Sequence, residues 1–320
     1  MRPESSSVIF RADLAAIAME HNARIDGKFI GQYAAPVFDT PACDGTYPIM
    51  RRANFQKPAS TKRAEGAGYN RIIGQFGQGN YACEENGLEL PVDDRRKRRY
   101  ASMFDAEASV TRMGVYQVAL AREARVAALY AGAGFTNHNV TTAWTTTASA
   151  TPLDDIASGV DALSDNCGAD PGEVSLIIPR ADFREMCRTD QVNEKLMYTY
   201  PGVQPAQLTP LQVAAMLGIK RVLVPAVAYD STEEGYAASM SQIWTSGVMY
   251  ICVLANPGED LEVPSVARTV RWTADAPETP VVESYREDKT RSDIVRVRED
   301  TDEILLGDSV DLFCYQLTNT

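Results

Sequence analysis

Residues 103–131 read MFDAEASVTRMGVYQVALAREARVAALYA, and the reading of this stretch decides the fold. Val115, Val118, Ala119, Val126 and Leu129 fall on one stripe at helical spacing, and Met113, Tyr116, Leu120, Ala124 and Ala127 on a second. Arg112, Glu123 and Arg125 stay polar. The pattern predicts one helix spanning roughly 40 Å at 1.5 Å per residue. Ser102 and Asp105 match the S-x-x-D capping pattern at its start, and Gly132 and Gly134 mark its end. Residues 51–100, just before it, read as a basic, glycine-punctuated, extended arm that cannot bury a core of its own. A soluble monomer rarely carries so large an unsupported arm, whereas a chain that completes itself against copies of itself does. The contrast points to an assembly protein.

The 320 residues are 45% hydrophobic and 23% charged, ordinary values for one large folded domain or two moderate ones. No run of eighteen apolar residues exists, so neither a transmembrane helix nor a membrane partner is expected. The N-terminal MRPESSSVIFRAD lacks the pattern of a secretory signal, and the expected compartment is the cytoplasm of the producing cell. Cys43, Cys83, Cys167, Cys187, Cys252 and Cys314 are scattered without a C-x-x-C, which argues against a zinc site. Cys187 and Cys252 read as buried thiols, and a reducing cytosol argues against disulfides between copies. His21 and His138 are too few for a typical histidine-based metal site or triad.

The formal charge of −12 is unevenly spread. Residues 51–100 carry eleven Lys and Arg against six Asp and Glu, a net +5, while residues 101–200 stand at −6 and 201–320 at −9. A basic arm and an acidic body favour contact between unlike surfaces of identical copies, although the arm folding onto its own body satisfies the same count.

Along the chain, residues 8–21 place Phe10, Leu14 and Ile17 on one face of a short amphipathic helix that packs either on its own body or on a neighbour. Residues 22–50 suit an irregular strap. Residues 51–92 read as a two-stranded excursion with Tyr69, Ile72 and Ile73 on one limb, Leu88, Leu90 and Val92 on the other, and glycines around Phe76. Such a hairpin is marginal in water unless laid across another surface. Thr151-Pro152 and Thr209-Pro210 open further helices, EVSLIIP is a buried strand, and Val266–Trp272, Val281–Tyr285, DIVRVR and Asp311–Leu317 make the C-terminal part β-rich. The expected class is α+β, with a mainly antiparallel sheet against the long helix.

Catalytic signals are missing. Gly74-x-x-Gly77-x-Gly79 is neither a dinucleotide fingerprint nor a phosphate loop, and no G-x-S-x-G, H-E-x-x-H or EF-hand pattern occurs. Asp154 and Asp155 read as helix-end carboxylates; Glu233/Glu234 and Glu299/Asp300/Asp302/Glu303 read as solvated turns; Trp144, Trp244 and Trp272 read as core or interface anchors. No catalytic, cofactor-binding or metal-ligating residue is therefore assigned. The strongest charge signal is Arg95, Arg96, Lys97, Arg98 and Arg99. Beside a helix N-terminus this run needs external partners, and in an acidic chain ion pairing between subunits is favoured over nucleic-acid phosphates.

In order of elements, the chain resembles the major capsid protein of tailed bacteriophages, the Hong Kong 97-type fold. Residues 1–50 look like its N-terminal arm, 51–100 like its extended loop (E-loop), and 103–131 like its spine helix. TPLDDIASGVDAL and EVSLIIPRADFREM are similar to peripheral-domain segments. LTPLQVAAMLGIKRVLVPAVAYD and QIWTSGVMYICVLA resemble the axial domain. SYREDKTRSDIVRVRED and DLFCYQL look like strands returning to the peripheral domain. The resemblance implies a peripheral domain at 101–195, an axial domain at 196–283 and return strands at 284–320. It implies a structural subunit forming hexamers and pentamers of an icosahedral head, assembled in the host cytoplasm into a virion that encloses double-stranded DNA without reading its sequence. Scaffolding, portal and decoration proteins are its implied partners. Fifty N-terminal residues rich in Gly and Pro cannot supply a long helical scaffold, so scaffolding would be separate or absent. Contacts between subunits are expected at Arg95, Arg96, Lys97, Arg98, Arg99, Tyr69, Ile72, Ile73, Phe76, Phe10, Leu14 and Ile17. Two other readings stay open: an encapsulin-type compartment shell, and a soluble enzyme with an unrecognised site.

Overall fold

The computed structural model describes residues 9–25, 27–51, 61–71, 76–199, 208–232, 235–275, 280–307, 309 and 311–319. The long helix runs Ala106–Gly132, 27 residues, or about 40 Å. Asp105 caps it: its carboxylate accepts the backbone N–H groups of Glu107 (2.9 Å) and Ala108 (3.4 Å). The helix thus begins at Ala106 rather than Met103, and Ser102 lies in the preceding turn. Its two halves serve two cores. Ala106, Val115 and Val118 pack with Leu14, Val92, Val282, Val295 and Val297. Val126, Ala127 and Tyr130 pack with Trp144, Ile156, Leu176 and Ile251.

A six-stranded sheet built on the 14-residue strand Ser292–Leu305 covers the N-terminal half. Glu84–Asp93 and Val281–Glu287 pair antiparallel with its first part on opposite edges, and Ala267–Trp272 pairs antiparallel with its end. Val37–Thr40 joins Ala267–Trp272 in parallel, and Ile9–Phe10 joins Val281–Glu287. The acidic run expected to be a solvated turn is instead the continuation of the long strand, with Glu299 1% and Asp300 3% exposed. Guanidinium groups make that burial tolerable. Arg122 and Arg125 reach from the long helix to Glu299 (3.3 and 3.0 Å), Arg125 also holds Glu303 (3.1 Å), and Arg298 holds Asp300 (2.8 Å).

A second, five-stranded sheet packs against the C-terminal half. Its order is Asn137–Asn139, Cys314–Thr318, Val248–Val253, Val174–Ile177 and Arg221–Leu223, antiparallel in the middle and parallel at both edges. The helices Pro152–Cys167 and Pro210–Leu217 lie beside it. This division differs from the expected grouping of 101–195 with 284–320. Val174–Ile177 pairs with Val248–Val253 and shares its core, so residues 152–177 belong with 208–254. Cys314–Thr318 also joins this second sheet and does not return to the first.

The segment read as a strap is mostly ordered structure. The helix Ala12–Ile25 docks on the long helix, and Gly31–Ala34 forms one more turn before Val37–Thr40. Asp44–Met50 then pairs antiparallel with Phe76–Ala82 as the two limbs of a hairpin. Leu88, Leu90 and Val92, expected on one limb, lie in the body strand Glu84–Asp93 instead.

Candidate assembly surfaces

Among the described residues, the hairpin meets the body through its stem. Alternate residues Tyr47, Ile49, Tyr81 and Cys83 face Val270, Ile304 and Leu306 of the first sheet. The opposite face, with Thr46, Pro48, Gln78 and Asn80, is exposed. Two tyrosines cross the ladder onto two glycines: Tyr47 pairs with Gly79 and Tyr81 with Gly45. A Cβ on Gly79 would stand 2.4 Å from Tyr47 Cζ, and one on Gly45 2.7 Å from Tyr81 Oη, so only glycine lets the rings lie flat there. Tyr47 Oη donates to the Leu305 carbonyl (3.0 Å), Tyr81 Oη lies 3.1 Å from Thr40 Oγ1, and the Ala82 N–H donates to Asp302 Oδ2 (2.9 Å). Burial raises the Asp302 carboxyl above its usual range, and the Ala82 N–H pulls it partly back.

Beyond the stem, residues 61–71 are exposed. Tyr69 is 77% exposed, with the Arg63 guanidinium 4.6 Å over its ring. Ile72 and Ile73 lie outside the described residues. Phe76 and Phe10 are described in backbone only, at the ends of strands paired through Met50 and Glu283 respectively. Leu14, 2% exposed, and Ile17 are spent inside the chain, between the long helix and Val282. The amphipathic helix has thus buried on its own body the face that these two residues were expected to offer a neighbour.

The basic run forms its own short helix, Asp94–Tyr100, separated from the long one by a turn. Asp93 caps it by accepting the Arg95 and Arg96 N–H groups (2.7 and 3.3 Å); Lys97, Arg98 and Arg99 fall in its last turn, where the helix dipole favours them, while Arg95 and Arg96 lie in its first. The expected clash with a helix N-terminus is therefore avoided by Lys97, Arg98 and Arg99 and holds for Arg95 and Arg96, beside the capping Asp93 carboxylate. Lys97 turns inward to Glu107 and to Asp293 (3.4 Å), and its hydrogen bond to Glu107 raises its pKa against the opposing effect of burial. Arg95, Arg96, Arg98 and Arg99 are exposed and make no ion pair among the described residues. An apolar patch adjoins them: Tyr100 stacks on Phe104 (5.2 Å, 22°), and Met103 is 76% exposed.

Glu123 has a role that the pattern of the long helix does not announce. Its carboxylate, 1% exposed, accepts the N–H groups of Ile30 (3.2 Å), Gly31 (2.6 Å) and Trp244 Nε1 (2.7 Å). One side chain of the long helix thereby ties the N-terminal segment to the loop before Val248–Val253. Burial raises its pKa and these donors, Trp244 foremost, oppose the rise. Asp155, read as a helix-end charge, is 8% exposed and accepts from Trp144 Nε1 (3.0 Å) and Thr141. A cleft of about 550 Å³ beside the long helix is lined by Leu120, Ala124, Ala128, Ile243, Trp244 and Tyr250 among others, with no carboxylate, imidazole, thiol or amine in its wall. Among the described residues no three His, Cys, Asp or Glu side chains converge as a metal-holding group.

No protein-family model and no curated protein sequence matches the chain. Solved structures do. A phage-related protein from Bordetella bronchiseptica RB50 superposes with a TM-score of 0.71 at 19% identity, covering 98% of each chain. The capsid of cyanophage P-SCSP1u gives 0.59 at 9% identity over 91% of this chain and 88% of that one. A virus-like particle from Pyrococcus furiosus gives 0.52 at 11% identity over 95% and 96%. The fold is the α+β Hong Kong 97-type capsid fold.

Proposed function

We propose that this chain is the major capsid protein of an icosahedral phage head, a structural subunit that forms hexamers and pentamers around double-stranded DNA. The observation that carries this reading is the near whole-length likeness to a phage capsid structure, beside that to a phage-related protein. A hairpin whose stem packs on the body while the described residues 61–71 beyond it are exposed supports it. In the assembled shell the hairpin tip drapes over an adjacent copy and buries apolar surface there, which supplies much of the assembly energy. Arg95, Arg96, Arg98 and Arg99 pair with acidic groups of a neighbour, an attraction that salt weakens. The DNA is enclosed without base-specific contacts, and scaffolding, portal and decoration proteins complete the head. The particle forms in the host cytoplasm and the protein resides in the virion. Among the described residues no helix is long and apolar enough to cross a membrane.

Negative-stain microscopy of the full-length chain tests this reading. Closed shells with nuclease-protected DNA are expected. Shells holding a cargo protein instead would replace the phage head with a cellular compartment, and compact dimers or tetramers would overturn both. The variant Arg95→Glu/Arg96→Glu/Arg98→Glu/Arg99→Glu should fold and fail to assemble; normal shells from it would remove the ion-pair part of the model. Lys97 is left in place because it is used within the chain.

A further inference from the structure

The hairpin and the body are joined by two chain crossings, and each carries a cysteine. Residues 41–43 link Val37–Thr40 to Asp44–Met50, and Cys83 alone separates Phe76–Ala82 from Glu84–Asp93. The ladder of the stem extends onto these two residues: the Cys83 N–H donates to the Cys43 carbonyl (2.9 Å), one step beyond the Asp44↔Ala82 pair. Directly opposed residues of an antiparallel pair have Cα atoms about 4.5–5.5 Å apart and side chains on one face. That separation lies within the roughly 4.4–6.8 Å that a disulfide spans. The Cys43 thiol already leans across the ladder, with its Sγ 3.5 Å from the Cys83 carbonyl oxygen. Both residues are free thiols and half-buried.

We infer that Cys43 and Cys83 form a dithiol that low-molecular-weight disulfides oxidise to a covalent clamp across the hinge of the hairpin. Cys43 attacks first. Burial, with Asp302 nearby, pushes the Cys83 thiol up to about 11 and makes it the poorer nucleophile. The Cys43 thiolate displaces one thiolate from the reagent to give a mixed disulfide, and Cys83 then displaces the second. Two protein thiols and one small disulfide become one protein disulfide and two small thiols, the protons passing through solvent to the departing thiolates. The chain holds an internal control. Cys252 and Cys314 are also directly opposed across a ladder, but they are 0% and 1% exposed. Burial also raises both of their pKa values. The reagent does not reach them, and their thiolates are scarce.

The test uses the unassembled full-length chain, incubated with oxidised glutathione or with a phosphine reductant, then denatured and alkylated. Six alkylated thiols are expected after reduction. Four are expected after oxidation, with a Cys43–Cys83 linked peptide and no covalent dimer. Hydrogen exchange of the stem amides, residues 44–50 and 76–82, should slow several-fold on oxidation and be unchanged in Cys43→Ser. That variant leaves the apolar stem cluster intact, because Cys83 and not Cys43 packs in it. Six free thiols after oxidation, a Cys252–Cys314 link, bridges between copies, or stem exchange indifferent to oxidation would each overturn the inference.

Discussion

Replacing Gly79 by alanine probes how the hairpin is held. The new Cβ would lie 2.4 Å from Tyr47 Cζ and 2.6 Å from Oη, so the ring has to leave its place over the strand. Tyr47 is 8% exposed, and its hydroxyl donates to Leu305 at 3.0 Å. Losing that hydrogen bond costs about 1 kcal/mol. Forcing a buried ring into a packed cluster adds roughly 1–3 kcal/mol. Alanine returns about 0.5–1 kcal/mol through lower chain entropy in the unfolded state. The expected net loss is about 2 kcal/mol, read as a shift in the urea midpoint of the unassembled chain at constant slope. Tyr47→Phe should lose about 1 kcal/mol, the hydrogen bond alone. In a Tyr47→Ala background the Gly79→Ala step should become stabilising by about 0.5–1 kcal/mol, because nothing is left to displace and only the entropy gain remains. A Gly79→Ala chain within about 0.5 kcal/mol of the parent, or an equal penalty in both backgrounds, would refute the stem geometry as the cause.

Three further outcomes follow from buried charge. Glu123→Ala leaves the Ile30, Gly31 and Trp244 N–H groups without their acceptor; after the relief of a buried carboxylate, a loss of about 3 kcal/mol is expected by denaturation. A loss under about 1 kcal/mol would show that water takes over the three bonds. Arg125→Met leaves Glu299, with 2% of its side chain exposed, with Arg122 as its remaining ion-pair partner among the described residues and takes Arg125 from Glu303 as well, and about 3 kcal/mol should be lost; Arg125→Met/Glu299→Met should recover part of it, and strictly additive losses would contradict the pairing. Asp302 has its folded pKa raised by burial, so the folded state holds the proton more tightly and stability falls as pH rises from the ordinary carboxylate range through the raised value. Asp302→Asn, which keeps an acceptor for the Ala82 N–H, should flatten that fall above the ordinary carboxylate range; superimposable pH profiles of variant and parent would count against the assignment.

The long helix was legible because two stripes of apolar residues at 3.6-residue spacing leave no other reading. The hairpin was legible as an excursion but not in its limits. Asp44–Met50 carries Gly45 and Pro48, and only the tyrosine-on-glycine pairing with Phe76–Ala82 shows it to be a strand. Glu299, Asp300, Asp302 and Glu303 were misread because charge density normally marks solvent, and the arginines that neutralise two of them lie some 175 residues away on the long helix. Local pattern does not encode a partner at that distance. The same reason hid Glu123, whose donors come from residues 30, 31 and 244. Within the basic run the split of four free arginines from one committed lysine depends on Glu107 and Asp293, again a tertiary fact.

The order in which the two sheets close bears on when the protein becomes competent. Glu84–Asp93 finds its partner in Ser292–Thr301, and the second sheet receives Cys314–Thr318 between Asn137–Asn139 and Val248–Val253. The first sheet is complete only once the chain has been made through Leu305, and the second only once it has been made through Thr318. A nascent polypeptide therefore lacks the surface on which its own hairpin stem docks, since Ile304 and Leu306 are made long after the hairpin. Such non-local pairing folds slowly and exposes unpaired edges meanwhile. A chain whose synthesis has not passed Leu306 cannot dock its hairpin stem on its own body.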